Sequence, residues 1–124
     1  LKVIDSYGWI EYFANGPLAK KFATYIENVN ANDTITPTVV VYEVYKRLKK
    51  EKGEQVALEA YAQITRTRIV TLDEQSALKA ADASLEKGFA MADAIVYSTA
   101  RAYSAQLITS DKDLKELPGV QYIE

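Results

Sequence analysis

Short β-branched segments alternating with longer runs of helical period constrain this chain more than any other feature. Lys2-Val3-Ile4-Asp5, Thr34-Ile35-Thr36, Arg68-Ile69-Val70-Thr71 and Gln106-Leu107-Ile108-Thr109 read as strands, and Val120-Gln121-Tyr122-Ile123, beyond Pro118-Gly119, as a last edge strand. Between them, apolar residues recur at helical spacing. Ser6 opens a run with Trp9, Ile10 and Phe13 on one face. After the Asn15-Gly16-Pro17 turn, with Pro17 placed to start a helix, Leu18, Phe22, Tyr25, Ile26 and Val29 mark a second. Pro37 closes the second strand, and Thr38 is positioned to cap a helix to about Lys52 that Gly53 stops. Further helices are expected over Glu54 to Thr65, with Val56, Ala60 and Ile64 on one side, and from Asp73 to about Lys87, ended by Gly88. Ala92, Ile95, Val96, Thr99, Ala100 and Tyr103 trace the face of the last helix. Such alternation predicts an α/β protein, a parallel sheet covered on both faces, with ligands bound at the strands' carboxyl ends.

The chain is 124 residues long and 48% apolar, the size of one domain spanning residues 1–124, without repeats or low-complexity tracts. It has no cysteine, which excludes a disulfide scaffold, a thiolate metal site and a cysteine nucleophile. It has no histidine either, so hydrolytic chemistry must run on carboxylates, hydroxyls, lysine, arginine or a bound metal. The longest apolar stretch, Val39 to Tyr45, is interrupted by Glu43 and too short to span a bilayer, and Leu1 to Ile10 lacks a signal-peptide pattern. A soluble, cytoplasmic protein with no membrane partner is therefore expected.

Asp5 and Asp111 each follow a strand directly, so their carboxylates converge if those strands are neighbours at a switch point. Each acid also has an ordinary structural use. Asp5 can cap the helix that follows it, Glu43 can pair with Lys46 or Arg47 on its own helix, and Asp93 suits the first turn of its helix. Asp111 and Asp113 can shape a turn with Ser110.

Val3-Ile4-Asp5-Ser6, Glu43 within Val40-Val41-Tyr42-Glu43-Val44, Ala92-Asp93-Ala94-Ile95-Val96 and Thr109-Ser110-Asp111-Lys112-Asp113-Leu114 occur in that order. Together they resemble the motifs of a PIN domain over nearly the whole chain, and are most similar to the toxin ribonucleases of the VapC type. The resemblance implies a three-layer α/β/α sandwich, an endoribonuclease using magnesium or manganese to hydrolyse RNA, a homodimer, and a small antitoxin partner. It assigns Asp5, Glu43, Asp93 and Asp111 as catalytic, metal-binding acids, with Ser6 and Thr109 as hydroxyls that orient them. Asp113 stands outside this core as a candidate outer-sphere acid, and Leu114 replaces an aromatic common in the family. Two carboxylates about 5 Å apart repel by roughly 3 kcal/mol at an effective dielectric near 20, so four gathered together call for a divalent counter-charge.

A net charge of −2 is not the footprint of a protein that coats nucleic acid. Local cations would have to guide an RNA backbone, drawn from the Lys46 to Lys52 run with Lys20, Lys21, Arg66, Arg68 and Arg101; otherwise that run is simply a solvated helix end. Tyr42, Tyr45 and Tyr61 suit core or interface packing, or base stacking. A phosphorelay receiver fits poorly, because Asp5 is followed by Ser6 and no middle-strand Asp is placed to accept phosphate. An aspartyl phosphatase would need a second acid where Tyr7 stands. The remaining alternative is a PIN-fold protein that binds RNA or a partner without cutting.

Overall fold

The computed structural model describes residues 1–124. Its elements are β1 (Lys2–Ile4), α1 (Ser6–Phe13), α2 (Ala19–Ile26), β2 (Ile35–Pro37), α3 (Thr38–Lys52), α4 (Glu54–Ile64), β3 (Arg68–Val70), α5 (Glu74–Lys87), α6 (Met91–Ala102), β4 (Gln106–Thr109) and β5 (Val120–Tyr122). All strand pairings are parallel. β1 lies beside β4 with Val3 opposite Leu107, β4 beside β5, and β2 beside β3. A single bridge from Lys2 to Thr34 joins the two groups, giving the order β3-β2-β1-β4-β5. The inner strands β2 and β4 bury three residues in succession, so both faces of the sheet are covered, whereas the edge strands β3 and β5 are largely open.

The chain builds outward from β1 through β2 to β3, then returns to place β4 on the other side of β1. That reversal makes β1 and β4 the switch point of the sheet, the crevice where such folds bind ligands. Asp5 leaves β1 and Asp111 follows β4, so the condition set by the sequence is met.

Local chemistry explains most boundaries. Trp9 is fully buried and its indole N–H donates to the Ile4 carbonyl at 3.2 Å, tying α1 to the strand before it. Gly8 lets the Phe22 ring of α2 lie against α1, since a Cβ there would stand 2.6 Å from Phe22 Cε1. Helix α2 starts at Ala19 and not at Pro17, because the Leu18 N–H turns to the Glu11 carboxylate at 3.1 Å. It also stops short of Val29. The Asn30 side-chain carbonyl accepts from the backbone of Asn32 and Asp33 and folds the chain into a turn, with Val29 still wholly buried. Thr38 is the first residue of α3 and not its cap. Pro37, still paired in β2, occupies the cap position and offers no side-chain acceptor.

One main core, including Trp9, Phe22, Ile35, Leu48, Leu107 and Ile108, lies between the sheet and its helices. A smaller cluster of Ala80, Ala94 and Ile95 joins α5 to α6. No helix is long and apolar enough to cross a membrane.

Candidate functional site

Asp5 sits where β1 ends and α1 begins, in extended conformation and only 3% exposed. Its Oδ1 accepts the Ser6 backbone N–H at 2.7 Å, and its Oδ2 accepts the Thr109 hydroxyl at 2.8 Å. The same Thr109 oxygen accepts the Asp111 backbone N–H at 3.0 Å. One buried hydroxyl therefore joins the acid after β1 to the acid after β4, and fixes both relative to the sheet. The Ser6 hydroxyl lies 3.5 Å from Asp5 Oδ1, a looser contact.

Glu43 stands half-buried on the second turn of α3. The ion pair that the sequence allowed with Arg47 is absent, because Arg47 turns to Glu51 at 2.7 Å. Asp93 lies in the first turn of α6, but Ala90 is that helix's cap. Asp111 does act as a turn former. It caps the short 3-10 turn Lys112–Leu114 and accepts the Asp113 N–H at 3.0 Å, while the Asp113 carboxylate stays exposed.

The acids act on one another through their charges. Asp5 is raised from 3.8 to about 6, chiefly by burial, which the Thr109 and Ser6 hydrogen bonds oppose and the charges of Asp93 and Glu43 reinforce. Asp93 is raised by burial and then by Asp111, Glu43 and Asp113. Every influence on Asp93 pushes the same way, and none comes from a donor or a cation. At Asp93, unlike Asp5, no hydrogen bond opposes the burial.

Ser6, Glu43 and Asp93 line a cavity of about 350 Å³, together with Tyr7, Arg47 and Lys50. Of the cations the sequence offered, Lys46, Arg47 and Lys50 border it. Arg68 instead lies over Tyr103 beside β3, and Arg101 lies against Gly119, so neither faces the acids. Tyr7 was not legible as a site residue. It lines the cavity while remaining half exposed, and its pKa is raised by burial first and then by Asp111, Asp5 and Asp93, with Arg47 acting against them. The available signal was its place in the first turn of the helix that Asp5 caps.

The donor set, carboxylates with a serine and a threonine hydroxyl, suits a hard divalent cation and no soft one. As the side chains lie, no three acids approach closely enough to share an ion. Asp5, Glu43, Asp93 and Asp111 are the residues that would hold such an ion, at most two of them at a time as they lie.

Fold and site define a parallel α/β domain with an acidic pocket at its switch point. A model of the PIN domain matches residues 2–120, and the chain belongs to the PIN-domain family. Solved structures of the same fold include Mycobacterium tuberculosis VapC20, a sarcin-ricin loop cleaving toxin, at a TM-score of 0.82 and 17% identity over 100% of both chains. A toxin-antitoxin complex from Klebsiella pneumoniae matches at 0.79 and 22% identity, covering 99% of this chain and 100% of that one. VapBC2 from Rickettsia felis, bound to a promoter DNA fragment, matches at 0.76 and 15% identity over 99% and 98%. No curated protein matches the chain in sequence.

Proposed function

We propose that this PIN domain is a metal-dependent endoribonuclease, the toxin of a toxin-antitoxin pair. The observation that carries the reading is the cavity that Asp93 lines with Glu43 and Ser6, where this half-buried carboxylate, raised by burial and then by Asp111, Glu43 and Asp113, has no hydrogen-bond or ion-pair partner in the protein. Such a potential is costly unless a cation offsets it. Magnesium or manganese, when bound, supplies polarisation of a phosphate oxygen and an acidified water.

The chain's own residues supply the rest. Thr109 and the Ser6 N–H hold Asp5 in a single orientation. Lys46, Arg47 and Lys50 along the cavity attract a phosphodiester toward acids that would otherwise repel it. Tyr7, a neutral phenol at the pocket wall, serves as a hydrogen-bond donor and not as a base.

The toxin-antitoxin complexes among the structural relatives support an inhibitory partner protein. Its test is whether the product of an adjacent short reading frame copurifies with the chain and blocks cleavage. A homodimer is supported by Leu78, Leu85 and Met91, exposed by 64%, 87% and 74% on the α5–α6 side of the molecule.

RNA cleavage measured with magnesium, with manganese and with EDTA tests the central claim. Asp5→Asn and Asp93→Asn should each lower the rate by about a hundredfold or more, and EDTA should abolish it. Cleavage that persists in EDTA, or in both variants, would overturn the assignment. RNA binding without cleavage would favour the non-cutting PIN-fold reading.

A further inference from the structure

Helix α3 carries two adjacent rows of side chains. Glu43 and Arg47 face the acidic cavity, while Tyr45 and Lys49 turn toward α4, with Tyr42, Lys46 and Lys50 on the boundary between them. The second row borders an open groove of about 620 Å³ lined almost wholly by apolar surface, the rings of Tyr42, Tyr45 and Tyr61 and the methylenes of Lys46, Lys49 and Lys50. The lysine ammonium groups do not form its wall, and Lys49 also pairs with Glu54 at 3.6 Å. Tyr42, Lys46 and Lys50 line both depressions, so groove and cavity form one continuous track.

We infer that this groove holds the single-stranded RNA that extends from the cleavage site, bases on the tyrosines and phosphates on the lysines. The inference rests on the ribonuclease reading for its direction, but on the groove's own chemistry for its ligand. Tyr42 and Tyr61 are 61% and 43% exposed, far more than rings used for packing. Lys46 Nζ lies 3.2 Å from the Tyr42 hydroxyl, and Lys49 Nζ lies 3.5 Å from that of Tyr45. Each ammonium stands at the outer end of a ring, so a phosphate on the lysine brings its base to the aromatic face. Aromatic rings interleaved with cations are what an unpaired strand requires, since every base has a face to stack while sequence is left unread. A duplex keeps its bases inside and cannot use the rings. Five of the chain's fifteen basic residues fall between Lys46 and Lys52, which concentrates positive charge here despite the net charge of −2.

The test is fluorescence anisotropy in EDTA with a labelled single-stranded RNA of about twelve nucleotides, and with a duplex of the same length as control. Tyr61→Ala and Tyr45→Ala should each weaken single-strand binding by about tenfold and leave duplex binding unchanged, while Tyr61→Phe binds as wild type. Lys49→Gln should lower the slope of log affinity against log salt by about 0.7. Tyr61 and Lys49 are exposed, so these two variants carry the test if Tyr45→Ala fails to fold. Wild-type affinity in Tyr61→Ala and an unchanged salt slope in Lys49→Gln would overturn the inference. So would unchanged RNA binding with loss of self-association or of an inhibitor protein, which would make the groove a protein-docking surface. Cleavage that survives while groove variants are silent removes only the groove; groove binding without cleavage removes only the nuclease.

Discussion

Asp5 shows how one residue serves structure and site in conflict. It caps α1 and binds Thr109, yet burial raises it from 3.8 to about 6. Between those values the folded chain holds more protons than the unfolded one. Asp5's contribution is therefore fully present below about pH 4 and is lost as pH rises through about 6, a difference of about 3 kcal/mol at neutral pH before relaxation. Metal-free Asp5→Asn should accordingly melt higher than wild type at neutral pH and converge with it near about pH 4. Adding magnesium should raise the melting temperature of the wild type and not of the variant, by an amount equivalent to about 2.7 kcal/mol at a hundred times the dissociation constant. Thermal melts across pH, with and without metal, read both effects. A variant that melts lower at neutral pH would show that the hydrogen bonds from Thr109 and Ser6 outweigh the burial.

Among the elements, α1 is positioned from both ends. Its first residue is tied through Asp5 to the sheet, and Trp9 binds back to β1 through the Ile4 carbonyl. Gly8 lets α2 pack tightly on it, because an added Cβ would fall 2.6 Å from Phe22 Cε1 and 2.9 Å from Ile4 Cγ2. Gly8→Ala should cost about 1–3 kcal/mol, read as a lower urea midpoint with an unchanged slope. Because α1 carries Ser6 and Tyr7, cleavage should fall more than stability alone explains at temperatures where the variant is folded. An unchanged midpoint would mean that Phe22 moves aside freely. The same tight packing was invisible in the sequence, where Gly8 interrupts a helical run without any turn signal. Boundaries missed by the periodicity have a similar origin. Val29 belongs to the apolar face of α2, but the Asn30 turn removes it from the helix and keeps it in the core.

For the whole molecule, the exposed apolar residues are unevenly spread, and Leu78, Leu85 and Met91 stand out on α5 and α6. If they form the dimer face proposed above, Leu85→Glu should shift the chain from dimer to monomer by light scattering while its melting temperature changes little, since an 87% exposed side chain contributes little to the monomer core. A wild type that is already monomeric at micromolar concentration would dispose of the dimer. Asp5, Glu43, Asp93 and Asp111 come from four different parts of the chain, and only the whole fold brings their charges to bear on one another.

The strand-helix alternation and the placement of Asp5 and Asp111 after strands followed from the sequence alone, because period and turn chemistry are local properties. Glu43 and Asp93 had no such local signal; the motif resemblance supplied them, and each had an equally good surface role. The neighbouring of β1 and β4 was decided by tertiary structure, since strand order depends on how the helices pack back onto the sheet. So were the place of Tyr7 at the cavity, the particular bonds by which Thr109, already singled out by the motif resemblance, joins Asp5 to Asp111, and the choice of Lys46, Arg47 and Lys50 over Arg68 and Arg101 as the cations beside the acids. Which cation faces which acid is set by distances across the fold, and a linear chain does not contain them.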